Sequence, residues 1–288
     1  MKKAFSLIEL SIVILIIGIL IAGITQSSRL IAQMRLSTAR NLTQSAPMAS
    51  IRNMIAWYET TSEKSFLDSE SEDGLPISSW NDITPTSITK FNLSQSTPSS
   101  KPTYSANSIN NLPTLKFDGG DYLEIAYNSD LNPKTFTIFA ISKITSLPDF
   151  GAIISSRSLT SVTNGYILYA NPASDFECWT GNGVANWGTN TPSTLNLNQN
   201  YLISITFNSS GVMKTYSDGN FVGTRTETNF LVNSDRNTRV GAGRNESTPT
   251  YFLNGYIGEI ILFERSLKDE ERKSIEKYLG QKWGIKIS

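Results

Sequence analysis

Four groups of residues in this chain have the types and spacing to do chemistry. Asp175 and Glu177 stand two apart, so on a strand both carboxylates share one face, the arrangement of the acid pair in glycoside hydrolysis. No third acid follows in the same alternation, where position 179 is Trp. Directly beyond, Trp179, Asn182, Asn186 and Trp187 alternate aromatic and amide side chains with glycines. Rings stack on the apolar faces of sugars and amides bond their hydroxyls, so this run predicts glycan binding, although either Trp also suits a core position. The Asp118-Gly119-Gly120-Asp121 turn offers oxygens for calcium, or equally carboxylates that accept backbone amides. The fourth group is a single residue: Glu9 lies inside the apolar run from Phe5 to Ile24. A carboxylate in lipid is expensive unless neutralised, so Glu9 calls for a cation.

Composition removes several alternatives. The 288 residues contain no histidine, which excludes Ser-His-acid and Cys-His mechanisms and histidine zinc sites. Cys178 is the one cysteine, so no intramolecular disulfide forms, and beside Trp179 it reads as a small buried hydrophobe. Lys plus Arg equals Asp plus Glu at 25 each, which gives no reason to expect nucleic acid as a partner. Charge is locally uneven: Arg29, Arg35, Arg40 and Arg52 precede an acidic stretch from Glu59 to Asp73. No cofactor is expected, calcium at Asp118 and Asp121 being the weak candidate.

These groups need elements to position them. Residues 5–24 as a helix reach roughly 30 Å, the thickness of a bilayer core. Helical spacing continues through Leu30, Ile31, Met34 and Leu42 to about Ser45, and Pro47 stops it. From Ile51 the pattern turns to strand signals, beginning with Ile55 to Tyr58; Asp82 to Asn111 reads as extended loop. Leu115 to Ile125 reads as a hairpin around the Asp-Gly-Gly-Asp turn, Phe136 to Ile141 as a central strand. Tyr201 to Phe207 alternates, with Ile203, Ile205 and Phe207 inward; Val212 to Thr226 is a hairpin at Asp218-Gly219. Phe252 to Phe263 is a long strand bent at glycines. Ser266 to Asp269 opens a final helix with Ile275, Tyr278, Leu279 and Trp283 on one face. Strands at this density predict a mainly β fold, a sandwich.

Lys2-Lys3-Ala4-Phe5 followed by Ser6-Leu7-Ile8-Glu9-Leu10 resembles the signal of type IV prepilins and pseudopilins. Ala4 stands where that family usually has Gly. The resemblance implies that prepilin peptidase cuts between Ala4 and Phe5, that the new amine is methylated, and that Glu9 pairs with the amine of a neighbouring pilin or pseudopilin subunit. From Ile51 onward, Trp80-Asn81-Asp82, Phe117-Asp118-Gly119, the Tyr216–Gly223 hairpin and Gly255-Tyr256-Ile257-Gly258-Glu259 resemble laminin G-like, concanavalin A-like domains. That implies a jelly-roll β-sandwich. The expected organisation is a leader over 1–4, a transmembrane and stalk α-helix over 5–46, and a laminin G-like sandwich over 50–288 ending in a short helix. The expected protein is a single-pass anchor in the bacterial cytoplasmic membrane, in contact with lipid, its head outside for adhesion or recognition of a glycan or surface protein. A ligand-free structural pseudopilin, a plain single-span anchor, a secretory signal peptide and a polysaccharide-acting enzyme remain alternatives.

Overall fold

A computed structural model describes residues 7–159, 163–173, 175–184, 193–243 and 248–288, without the side chains of Glu9, Ile24, Thr25, Ser28, Leu159 and Ser193. The processing positions Ala4 and Phe5, and Asn186 and Trp187, lie outside the described residues.

Helix α1 (Leu7–Gln44) runs without Pro until Pro47 opens a short 3-10 turn over Pro47–Ser50. Its first half is exposed on all described sides, whereas Ala39, Thr43 and Ala46 near its end are buried against the head. Among the described residues no helix is long and apolar enough to cross a membrane.

In chain order the strands are β1 (Met54–Glu59), β2 (Ser79–Trp80), β3 (Leu93–Ser94), β4 (Thr103–Ile109), β5 (Leu112–Asp118), β6 (Leu123–Ile125), β7 (Phe136–Ile144) and β8 (Gly151–Leu159). They continue as β9 (Thr163–Asn171), β10 (Asp175–Thr180), β11 (Ser193–Thr194), β12 (Asn200–Phe207), β13 (Val212–Ser217), β14 (Asn220–Thr226), β15 (Thr238–Val240) and β16 (Asn254–Phe263), before helix α2 (Asp269–Trp283). Two antiparallel sheets result. The first has the order β14-β13-β12-β7-β16-β5-β4, with β1 also pairing β16; the second has β11-β10-β9-β8-β15-β6-β3-β2. This is the mainly β sandwich that the strand density predicts, with a long helix before it and a short one after.

The chain's alternation decides which side chains enter the core. Ile203, Ile205 and Phe207 point inward with Ile138, Ala140, Leu168, Phe176 and Cys178 between the sheets. A second apolar layer lies on the other side of the first sheet, where Phe139, Ile141, Leu202, Ile261 and Phe263 meet Ile275, Leu279 and Trp283 of α2. Strand β16 serves both layers by the alternation of its side chains, and its register with β7 shifts between Ile257 and Glu259, which keeps Ile257 and Ile260, three apart, in the same layer. The residue at the shift is Gly258, where a Cβ would lie 2.6 Å from the Trp283 ring.

Two expectations are corrected. Leu115 to Ile125 is no hairpin: β5 belongs to the first sheet and β6 to the second, so the Asp118–Asp121 turn carries the chain from one layer to the other. Asp82 to Asn111 is not all loop, because β4 pairs β5 through Thr103↔Lys116 and Ile109↔Leu112. Its Ser and Asn content hides the strand. The Asp218-Gly219 turn is as expected, with φ 50° and 82°, values that fit the tight hairpin type. Helix α2 begins at Asp269, and the Lys268 N–H is capped by Glu271, two residues later than the expected Ser266 box.

Candidate functional site

Burial alternates along β10, so Asp175, Glu177 and Trp179 face outward while Phe176, Cys178 and Thr180 face the core. Burial pushes the Cys178 thiol up to about 12, as fits a packing residue. The antiparallel register places Ile167 opposite Trp179 and Tyr169 opposite Glu177, and on the next strand Ala152 opposite Tyr169. Phe150 and Tyr251 arrive from loops on either side. The outcome is an aromatic cluster on the outer face of the second sheet. Tyr169 and Trp179 have ring centroids 4.8 Å apart at 73°, Phe150 and Tyr251 4.9 Å apart, and Phe150 and Tyr169 5.4 Å apart. Tyr169 is buried, while Phe150, Trp179 and Tyr251 keep part of their surface.

Charge is placed under and beside these rings. Arg157, itself buried, carries its guanidinium 5.9 Å from the Trp179 ring centroid. The Tyr169 hydroxyl donates to Glu177, and burial together with that bond pushes its pKa above the phenol range. Tyr251 sits at φ 56°, a left-handed conformation uncommon for a large side chain, and its carbonyl accepts the Ala152 N–H at 2.9 Å.

Of the sugar-binding residues expected from sequence, Trp179 belongs to this cluster. Asn182 does not share its described contacts: its Nδ2 donates to Glu227 at 3.0 Å and its Oδ1 accepts the Val184 N–H at 3.2 Å, which fixes the loop after β10. Asp175 and Glu177 do share a face, but the group beside Glu177 is a phenol. Sequence reasoning missed Phe150, Tyr169, Tyr251 and Arg157. Tyr169 had a signal in its alternation with Leu168; Phe150 and Tyr251 sit in loops far apart in sequence and are joined only by the fold.

Asp118 and Asp121 act on their own backbone. Asp121 accepts the Asp118 N–H at 3.0 Å and Asp118 accepts the Gly120 N–H at 3.1 Å. Burial, with Asp118 nearby, pushes Asp121 up to about 7 despite the amide bond it accepts. Among the described residues no group of three or more His, Cys, Asp or Glu side chains is placed to hold a metal ion.

A different polar centre lies under the helices. Lys282 Nζ, fully buried, donates to Glu59 at 2.7 Å, Glu259 at 2.9 Å and Thr43 of α1 at 2.8 Å. Glu259 also accepts Trp57 Nε1 at 2.7 Å, Trp283 Nε1 at 2.8 Å and the Tyr278 hydroxyl at 3.0 Å. Glu59 accepts the Thr61 amide and hydroxyl. Burial alone would lower the Lys282 pKa, but the Glu259 and Glu59 carboxylates outweigh it and hold the ammonium above its ordinary range. Burial would raise Glu59, and the Lys282 charge and Thr61 bonds bring it below the usual carboxylate value. One cation thus joins stalk, sheet and closing helix.

Comparisons with known proteins agree with this architecture. Residues 1–25 match the prokaryotic N-terminal methylation motif, and residues 117–271 match the concanavalin A-like lectin/glucanases superfamily through its Laminin_G_3 profile. Comparison with curated proteins returns no match. Among solved structures, a Trypanosoma rangeli sialidase in complex with sialic acid is 14% identical with a TM-score of 0.51, over 80% of this chain and 33% of its own. Botulinum neurotoxin type C, whose cell entry depends on two ganglioside molecules, gives 13% and 0.54, over 81% and 53%. The binding domain of Paraclostridial Mosquitocidal Protein 1 gives 10% and 0.56, over 81% and 55%. The chain therefore spans about a third of the sialidase and about half of the two toxin chains, and at these identities the likeness is one of fold. With more than half of its length inside the family match, running from the end of β5 into α2, this protein belongs to the concanavalin A-like lectin/glucanases superfamily.

Proposed function

We propose that the chain is a type IV pilin-like or pseudopilin-like surface protein whose head recognises a glycan or a glycan-bearing protein. In this reading prepilin peptidase cuts between Ala4 and Phe5, and Glu9 pairs with the methylated amine of a neighbouring subunit, which cancels its charge only when subunits meet. Residues 5–24 supply a single membrane pass, roughly 30 Å if helical throughout, and the head stands outside the cytoplasm. The methylation motif supports this part, as do Leu30, Ile31 and Met34, which stay exposed beyond the apolar run and suit packing against other stalks.

The observation that carries the recognition half is the aromatic cluster of Phe150, Tyr169, Trp179 and Tyr251 on a sheet face that neither helix covers. Neighbours of similar fold include proteins described with sialic acid or gangliosides, which supports glycan recognition. Two experiments test the reading. Intact mass and N-terminal chemistry of protein from membranes of a host with prepilin peptidase should give a methylated Phe5 terminus; an uncut Met1 terminus refutes the pilin half. A glycan array should show binding by the wild type that Trp179→Ala loses. No glycan binding by the wild type would favour a ligand-free structural pseudopilin, and binding unchanged by Trp179→Ala would place the site away from the aromatic cluster.

A further inference from the structure

Resting on that reading, the outer face of the second sheet says more about the ligand than its class. The Trp179 cluster is not the only aromatic group there. Tyr122, just before β6, has its ring centroid 6.3 Å from that of Phe252, and the Arg239 guanidinium of β15 lies 5.5 Å from the Tyr122 ring. Arg239 is opposite both Glu124 and Ser155 in register, and Leu123 points into the core, so Tyr122 and Glu124 belong to the outward side. The two patches meet in sequence at Tyr251-Phe252, consecutive residues that give one ring to each.

The separation of their outer ends, Trp179 on β10 and Tyr122 before β6, follows from the strand order β10-β9-β8-β15-β6. Four interstrand steps of about 4.8 Å put β10 and β6 on the order of 19 Å apart. One sugar ring cannot touch both ends; a chain of several can. Charge narrows the ligand further. Among the described residues the cations on this face, Arg157 and Arg239, are both engaged, Arg239 with Glu124 at 2.7 Å and Arg157 beneath Trp179. Asp175 and Glu177 add negative charge beside them. Among the described residues the face therefore has no surplus of positive charge with which to select an anionic sugar.

We propose that this face binds an uncharged linear oligosaccharide across the strands, with one subsite at Phe150, Trp179 and Tyr251 and a second at Tyr122 and Phe252. Stacking supplies the affinity at each patch, and the span from Trp179 to Tyr122 supplies selection for chain length.

The test is calorimetric titration of the full chain with neutral gluco-, xylo- and chito-oligosaccharides from monomer to long oligomer, with sialyllactose as the charged comparison. In at least one neutral series, affinity should rise with length until the chain reaches both patches. Tyr122→Ala should then weaken the long oligomers about tenfold and leave the shortest binders unchanged, while Tyr122→Phe, which keeps the ring, restores wild-type affinity. Phe252→Ala should repeat the Tyr122→Ala result and guards against a fold defect in the first variant. Binding that is lost with Trp179→Ala but is independent of length and of Tyr122 overturns the two-subsite proposal and leaves the lectin reading intact. Preference for sialyllactose overturns the uncharged ligand. No binding by any neutral series overturns the proposal too, and if the glycan array is also blank the lectin reading falls with it.

Discussion

The two outer faces of the sandwich have been finished in opposite ways. On the first sheet, Phe139, Leu202, Ile261 and Phe263 are covered by α2, and the polar groups left beneath the helix are joined to one another: Lys282 meets two carboxylates, a stalk hydroxyl and a phenol. On the second sheet, Phe150, Trp179 and Tyr251, rings of comparable size, are left half-buried and no helix covers them. Apolar surface with a permanent partner inside the chain belongs to stability; apolar surface kept partly open is what recognition requires. The contrast puts the stalk contacts on one side and leaves the other as the face proposed for ligand binding.

The largest effect is expected where the helices close the first face. Lys282→Met removes the only cation described between Glu59 and Glu259 and leaves two fully buried carboxylates. Breaking such a cluster from one side costs about 3–5 kcal/mol. Thermal or urea unfolding of the detached head with its stalk end should register that loss, and adding Glu59→Gln and Glu259→Gln to Lys282→Met should recover part of it. If Lys282→Met unfolds like the wild type, the cluster does not join stalk to head. The equivalent change on the open face, Trp179→Ala, should cost less, about 1–2 kcal/mol for a half-buried ring, while removing binding.

A pH experiment sharpens the same division at the turn that links the sheets. Asp121 is raised to about 7 in the folded chain, above the unfolded value near 3.9, so the native state holds a proton that the unfolded state has released. Its contribution is complete below about pH 4, declines as pH rises toward 7, and is constant above that. Unfolding free energy should therefore fall across this window, and Asp121→Asn should flatten that part of the profile. An unchanged slope in Asp121→Asn would place the titration elsewhere.

Most of the architecture was legible because it follows from local pattern. Period two in Tyr201–Phe207 and the Asp218-Gly219 turn are properties of a few adjacent residues, and both reappear in the fold. So is the helical face of Ile275, Leu279 and Trp283. The β5–β6 connection was misread because a Gly-rich turn looks the same whether it pairs two strands or passes between layers; only the register reveals which. The candidate binding face was half legible for a related reason. Trp179 stood out by its type, but its partners Phe150 and Tyr251 come from remote loops, and Arg157 reaches it across two strand pairings. Lys282 gave no signal at all: a lysine in the last turn of a helix ordinarily reads as solvated and dipole-paired.

The smallest effect should come from the other ionic contact across the stalk seam. Arg40 of α1 approaches Glu63 at 2.5 Å, like Lys282 a contact between cation and carboxylate, but their side chains are 36% and 75% exposed. Water and salt screen such a pair, so Glu63→Ala should change stability by about 0.5 kcal/mol at most and by less as ionic strength rises. Arg40 also donates from Nε to the Thr61 carbonyl at 2.9 Å, a bond that Glu63→Ala leaves in place. Lys282→Met, measured in the same salt series, should keep its full cost because no solvent reaches the cluster to screen it. Equal losses for the two variants, or equal salt dependence, would mean that burial does not separate the two contacts, and the division between a closed face and an open one would lose its energetic basis.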